Sequence, residues 1–194
     1  MRKIPLVVLL LFVAALPLWG RERAPGRTLI AHDFSTSAQG WLIASDTGAV
    51  EPTFESRGGH PGGYISAKDE EGGETWYFRA PASVLAQLAA AEGGAITYSI
   101  KQSEIDPGFP DDDVVIVGAA GRLSYRFDHA PGTDWTTFSA PLSAAGWHWN
   151  WNMRATQEQM RSVLANAIRL EIRGEYRTGS DVGAFDTFAL TARE

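Results

Sequence analysis

The sequence predicts an all-β protein whose antiparallel strands pack as two sheets. Apolar residues alternate with polar ones over short runs, Gly and Pro punctuate the intervals, and such runs recur along most of the chain. The alternation is plainest in RLSYRFD, where Leu123, Tyr125 and Phe127 share a face. In IRLEIRGEY, Ile168, Leu170 and Ile172 share one face while Arg169, Glu171, Arg173 and Glu175 share the other. One apolar face per strand means half-burial, as in antiparallel sheets; strands of a parallel sheet are apolar on both faces.

Taken in order, the chain begins with Arg2 and Lys3 ahead of an apolar run from Ile4 to Trp19, the pattern of an export signal. The run is short for a bilayer span, which takes about 20 residues, and Pro17 breaks it before Arg21 to Arg23. Gly20 suits the position before a cleavage site and Leu18 does not, so residues 1–20 are either a removed signal or an uncleaved anchor. Residues 21–27 read as a linker and 28–194 as one domain. Its candidate strands are TLIAHDF (28–34), GYISAKD (63–69), TWYFRA (75–80), AITYSIKQ (95–102), DVVIVG (113–118), RLSYRFD (122–128), DWTTFSA (134–140), IRLEIRGEY (168–176) and FDTFALTA (185–192). Thr156 and Gln159 have capping-box spacing, and Met160, Val163, Leu164 and Ala167 follow at helical intervals, so one short α-helix is expected from Gln157 to about Asn166. Residues 80–94 form a weaker helix or turn closed by Gly93 and Gly94.

Composition restricts function. The 194 residues are 44% hydrophobic with a net charge of −6 and no Lys/Arg cluster, which argues against nucleic acid or an anionic membrane surface as partner. With no cysteine, disulfides, thiolate metal sites and lipidation on cysteine are excluded. Membrane contact is left to the N-terminal anchor.

The stretch AGWHWNWNMRAT (145–156) places Trp147, Trp149 and Trp151 at alternate positions. In a strand the three indoles would share one face and His148, Asn150 and Asn152 the other. Exposed, the row is a stacking platform for a sugar; buried, it is core. The stretch precedes the capped helix, so it is expected as a connection, with one or two indoles packed beneath the helix and the rest at the surface beside His148 and Asn150. GGHPGGYIS around His60 reads as a tight turn, with a ligand loop as the alternative. The Arg169 to Glu175 ladder reads as a solvated row of opposite charges, with a buried Arg173–carboxylate pair as the alternative. Acidic residues gather in KDEEGGE (68–74) and PGFPDDD (107–113) without matching a known calcium loop. No nucleophile elbow, zinc-binding H-E-x-x-H, P-loop or dinucleotide fingerprint is present, and the expectation is a protein without catalysis.

Several segments resemble the laminin IV (laminin B) family in sequence and order. They are GWLIASD, RGGHPGGYISAKDEEGGETWYFRAP, EGGAITYSI, DVVIVGAAGRLSY, WTTFSAPL and ATQEQMRSVLANAIRLEIRGEYRTGSDVGAFDTFAL, together spanning about Asp33 to Leu190. The resemblance implies an antiparallel jelly-roll β-sandwich similar to carbohydrate-binding modules, with no catalysis. It implies that an indole ahead of the helix is a packing residue. By architectural similarity it places a structural calcium where first and last strands meet, at Asp33 and Asp186. The cysteine-rich EGF-like modules that flank the domain in animal laminins are absent, so network assembly is not implied. The expected function is that of a secreted, periplasmic or cell-surface binding or adhesion domain for a glycan or an extracellular or envelope protein. The alternatives are a purely structural module without a small ligand and an uncharacterised carbohydrate-active enzyme.

Overall fold

A computed structural model describes residues 26–68, 74–105 and 107–193. The expected signal or anchor, most of the linker and the acids Asp69, Glu70 and Glu71 lie outside the described residues. The strands, in chain order, are β1 (Thr28–His32), β2 (Leu42–Ser45), β3 (Gly48–Val50), β4 (Thr53–Gly59), β5 (Gly62–Lys68), β6 (Tyr77–Arg79) and β7 (Ala95–Gln102). They continue as β8 (Val114–Gly118), β9 (Gly121–Tyr125), β10 (Thr136–Pro141), β11 (Trp147–Trp149), β12 (Met153–Arg154), β13 (Ala167–Arg173) and β14 (Val182–Thr191). Helices α1 (Ala82–Leu85) and α2 (Gln157–Ala165) and a 3-10 turn, Leu88–Ala91, complete the described elements.

Two antiparallel sheets form the sandwich. The six-stranded sheet runs β10-β7-β14-β5-β4, with β1 also on β14; the eight-stranded sheet runs β12-β11-β9-β8-β13-β6-β2-β3. Sequence neighbours such as β6, β7 and β8 alternate between sheets, the crossing pattern of a jelly roll. Period-two alternation aims Leu170 and Ile172 of β13, Ile96, Tyr98 and Ile100 of β7, and Phe185 of β14 between the sheets. There they meet Phe34, Trp41, Phe78 and Phe188 in an aromatic core. Trp41 Nε1 donates to His32 Nδ1 at 2.7 Å, so the buried imidazole accepts as a neutral base, and burial holds its pKa below the usual histidine value.

α2 begins where the capping box predicts: the Thr156 hydroxyl accepts from the Gln159 N–H and the Gln159 side chain accepts from the Thr156 N–H. Met160, Val163 and Leu164 enter the core against β8, β9 and the 3-10 turn. The segment expected as an irregular connection instead contains a short hairpin, β11 and β12. β11 pairs with β9 through Trp147↔Tyr125 and Trp149↔Leu123.

Candidate functional site

Registers on the outer face of the eight-stranded sheet bring distant residues into line. Arg79 of β6 lies opposite Glu171 of β13, which lies opposite Val115 of β8, which lies opposite Ser124 of β9. One step along, Arg169, Val117 and Arg122 form a parallel row. These strands floor an open groove of about 860 Å³, bordered by Tyr77, Val115, Arg122, Trp151, Arg169 and Glu171 and, at one end, by Thr75, Phe109, Asp111 and Glu175.

Ion pairs hold the polar part of this floor. Arg79 donates from Nε and Nη2 to Glu171 Oε1 at 3.0 and 2.9 Å, and Arg169 Nε lies 3.3 Å from Glu171 Oε2. Arg122 and Arg126 share Asp112, at 2.8 and 3.2 Å. Beneath them Arg173 is 3% exposed; it donates to the carbonyls of Glu175 at 2.6 Å and Phe109 at 2.7 Å, and lies 3.6 Å from Asp113. The ladder is thus partly a buried pair, the alternative reading of LEIRGEY. Burial pushes the Asp113 carboxyl above its ordinary pKa despite the adjacent guanidinium and the N–H it accepts from Phe127 at 2.7 Å. Burial and the nearby Asp111 charge raise the Tyr77 phenol far above its usual value, so Tyr77 keeps its hydroxyl proton at any ordinary pH. Thr75 donates to Asp111 at 2.5 Å. Glu171 has both oxygens engaged and is clamped between two guanidiniums, which fixes the carboxylate in place.

The three indoles of 147–151 have three different fates. Trp147 is 1% exposed, packs on Tyr125 and donates to the Pro141 carbonyl at 2.6 Å; it is core. Trp149 also turns inward and is half-buried, its ring so close to Gly121 that a Cβ there would sit 2.4 Å from it. Trp151 is 69% exposed. Strict alternation would have sent it inward as well, but the chain reverses at Asn150 and Trp151, with φ of 41° and 85°. Two consecutive positive φ values are strained for residues other than glycine, most of all for a bulky one. The reversal carries Trp151 to the outer face, where its ring lies 4.5 Å from the Arg122 guanidinium. Asn150 fastens the turn: its N–H donates to the Arg122 carbonyl at 2.9 Å and its Oδ1 accepts the Arg122 N–H at 3.0 Å. His148 lines a separate hollow of about 370 Å³ with Arg154 and residues 144–146. Tyr77 and Arg122 belong to the groove without any motif in their own segments, because only strand order brings them to Trp151.

Asp186 lies on the outer face of the six-stranded sheet, within electrostatic reach of Asp33. Asp186 is fully buried; it accepts the His60 N–H, and the Thr187 N–H at 2.6 Å. Desolvation raises its pKa and the Asp33 charge adds to the rise. Asp33 is exposed and accepts the Ser35 N–H at 3.1 Å. Among the described residues no group of three or more His, Asp or Glu side chains is placed to hold a metal. The pair alone supplies too few of the six to eight oxygens that calcium takes, and both Asp186 oxygens already serve N–H donors. This donor set does not fit the ion, and Asp186 acts as the anchor of the β4–β5 turn. His60, on that turn, places Nδ1 3.3 Å from Ser99 Oγ and stacks on Trp135, whose Nε1 donates to the Gly58 carbonyl at 3.1 Å. GGHPGG is therefore a structural turn.

The family model described as Laminin B (Domain IV) matches residues 77–192. The L4b domain of human laminin alpha-2 superposes with a TM-score of 0.64 at 13% identity, covering 86% of this chain and 99% of that one. The CBM22-1 xylan-binding domain of Paenibacillus barcinonensis Xyn10C gives 0.51 at 11% identity, covering 88% and 97%. The family 11 carbohydrate-binding module of Clostridium thermocellum Lic26A-Cel5E gives 0.50 at 15%, covering 87% and 96%. No curated protein matches the chain. Among the described residues no helix is long and apolar enough to cross a membrane.

Proposed function

We propose, from the premise that this chain belongs to the laminin B (domain IV) family, that it is a non-catalytic binding domain whose ligand is a carbohydrate chain laid across the groove of the eight-stranded sheet. The observation that carries this reading is Trp151: a large indole held out from the surface at a strained backbone position, beside a floor of fixed hydrogen-bonding groups. Strain of this kind costs on the order of 1–3 kcal/mol and persists where surrounding structure enforces it, typically at sites of function. Here the two Asn150–Arg122 hydrogen bonds, one of them to the Asn150 side chain, and the Arg122 stack do the enforcing. Sugars need an apolar face to stack on and polar edges to bond, and Trp151 with Arg122, Tyr77 and Glu171 offers both. The ion pairs preorganise those edges, so little side-chain entropy is lost on binding. The two carbohydrate-binding modules establish likeness of fold alone; that one of them is a xylan-binding domain makes polysaccharides the first ligands to test. The reading includes export, supported by Arg2, Lys3 and the apolar run after them.

Affinity electrophoresis through gels containing soluble polysaccharides tests it. The wild-type domain should be retarded by at least one of them, and Trp151→Gly should lose about tenfold or more in affinity, as central aromatic anchors do. Equal retardation of the two proteins would place binding elsewhere.

A further inference from the structure

We infer that the groove selects an uncharged polysaccharide and rejects polyanionic ones; this rests on the carbohydrate reading above. Carboxylates outnumber guanidiniums along its lining, with Glu74, Asp111, Glu171 and Glu175 against Arg122 and Arg169. Neither cation is available to a ligand anion on its own. Arg122 gives Nη2 to Asp112 at 2.8 Å and its face to Trp151, and Arg169 rests 3.3 Å from Glu171. The flanking arginines are used in the same way, Arg79 on Glu171 at 2.9 Å and Arg126 on Asp112 at 3.2 Å. A carboxylated or sulfated chain would bring its own anions beside these carboxylates, and like charges placed that close repel.

What the groove does offer is dipolar. Arg122 borders the groove as a polar edge whose charge is already answered by Asp112. The Tyr77 hydroxyl borders the same groove. The indole of Trp151 provides the apolar face. An uncharged pyranose chain matches these three groups and brings no charge of its own against the excess carboxylates.

Isothermal titration of the domain with three kinds of soluble chain tests the inference. One kind is neutral (β-glucan and β-mannan), one anionic (polygalacturonate) and one cationic (chitosan oligosaccharides). Each is measured at about 0.05 and 0.5 M NaCl, which shortens the screening length about threefold. The expected result is binding of a neutral chain, within about twofold at the two salt concentrations, weakened about tenfold or more by Trp151→Gly, with no binding of polygalacturonate. Binding of polygalacturonate, or tighter binding of chitosan than of any neutral chain, lost in Trp151→Gly and weakened by salt, overturns the charge inference and leaves the groove reading standing. Neutral-chain binding untouched by Trp151→Gly overturns the groove reading instead. Binding of none of the chains overturns both.

Discussion

On the outer face of the six-stranded sheet the β4–β5 hairpin folds back over the strands, whereas on the outer face of the eight-stranded sheet the β11–β12 hairpin holds an indole out beside an open groove. Both faces carry a tryptophan, a basic side chain and carboxylates. On the first, Trp135 bonds to Gly58, stacks with His60 and lies under Lys101 at 4.7 Å, while Asp186 and Ser99 beneath are fully buried. On the second, Trp151 meets Arg122 on one side and is otherwise 69% exposed. An aromatic residue with charged neighbours is therefore not in itself a site. What separates the two faces is whether the indole's partners are already supplied by the protein.

Substitutions should therefore sort by face. The largest effects belong to groups behind and beneath the open groove that a ligand cannot reach. Trp147→Ala leaves a cavity in the core and should cost about 3–5 kcal/mol. Arg173→Ala leaves Asp113 buried and unpaired and should cost a similar amount, about 3–5 kcal/mol. Urea denaturation measures both. On the closed face, Asp186→Ala strands the N–H groups of His60 and Thr187 and should cost about 1.5–3 kcal/mol.

Acidity sharpens the same point. The folded state raises the pKa of Asp186, so the native protein holds that proton more tightly than the unfolded chain. The resulting stabilisation is full below the ordinary aspartate value of about 3.9 and is lost as pH rises through the raised one. The melting temperature of the wild type, relative to Asp186→Asn, should therefore increase as pH falls from about 6 to about 4. A flat difference would mean that Asp186 is not desolvated, and so that the closed face is open. The smallest effect on stability is expected on the open face. Trp151→Gly relieves the positive φ while losing a cation–π contact of about 0.5–1 kcal/mol, so its melting temperature should match or slightly exceed that of the wild type. A large loss would make Trp151 a structural residue like Trp135.

Legibility in the sequence divides along physical lines. Strands with several inward residues, such as β7 and β13, announce themselves by alternation, and α2 by its reciprocal cap. β4 is different: in TFESRGG only Phe54 is both apolar and turned toward the core, because the strand lies at a sheet edge and its remaining residues face water. β2 and β3 are too short to display a period. The indole row was readable as a feature but not as a site. Period two assigns the three rings to one face, and only the turn at Asn150, which no glycine marks, moves Trp151 to the other. Arg122, Tyr77 and Glu171 come together through strand order, which local pattern does not encode. Two of the carboxylates of PDDD, a cluster of acids in the sequence, have guanidinium partners: Asp112 holds Arg122 and Arg126, and Asp113 lies beside Arg173.

The most direct test of the open-face account is to follow the tryptophan indole N–H signals by NMR while a neutral polysaccharide is added to the domain. The account predicts that the Trp151 signal shifts progressively with ligand, while those of Trp135, pinned to Gly58, and Trp147, pinned to Pro141, stay in place. A shift of Trp135 with Trp151 unmoved would contradict it and transfer the binding surface to the opposite sheet.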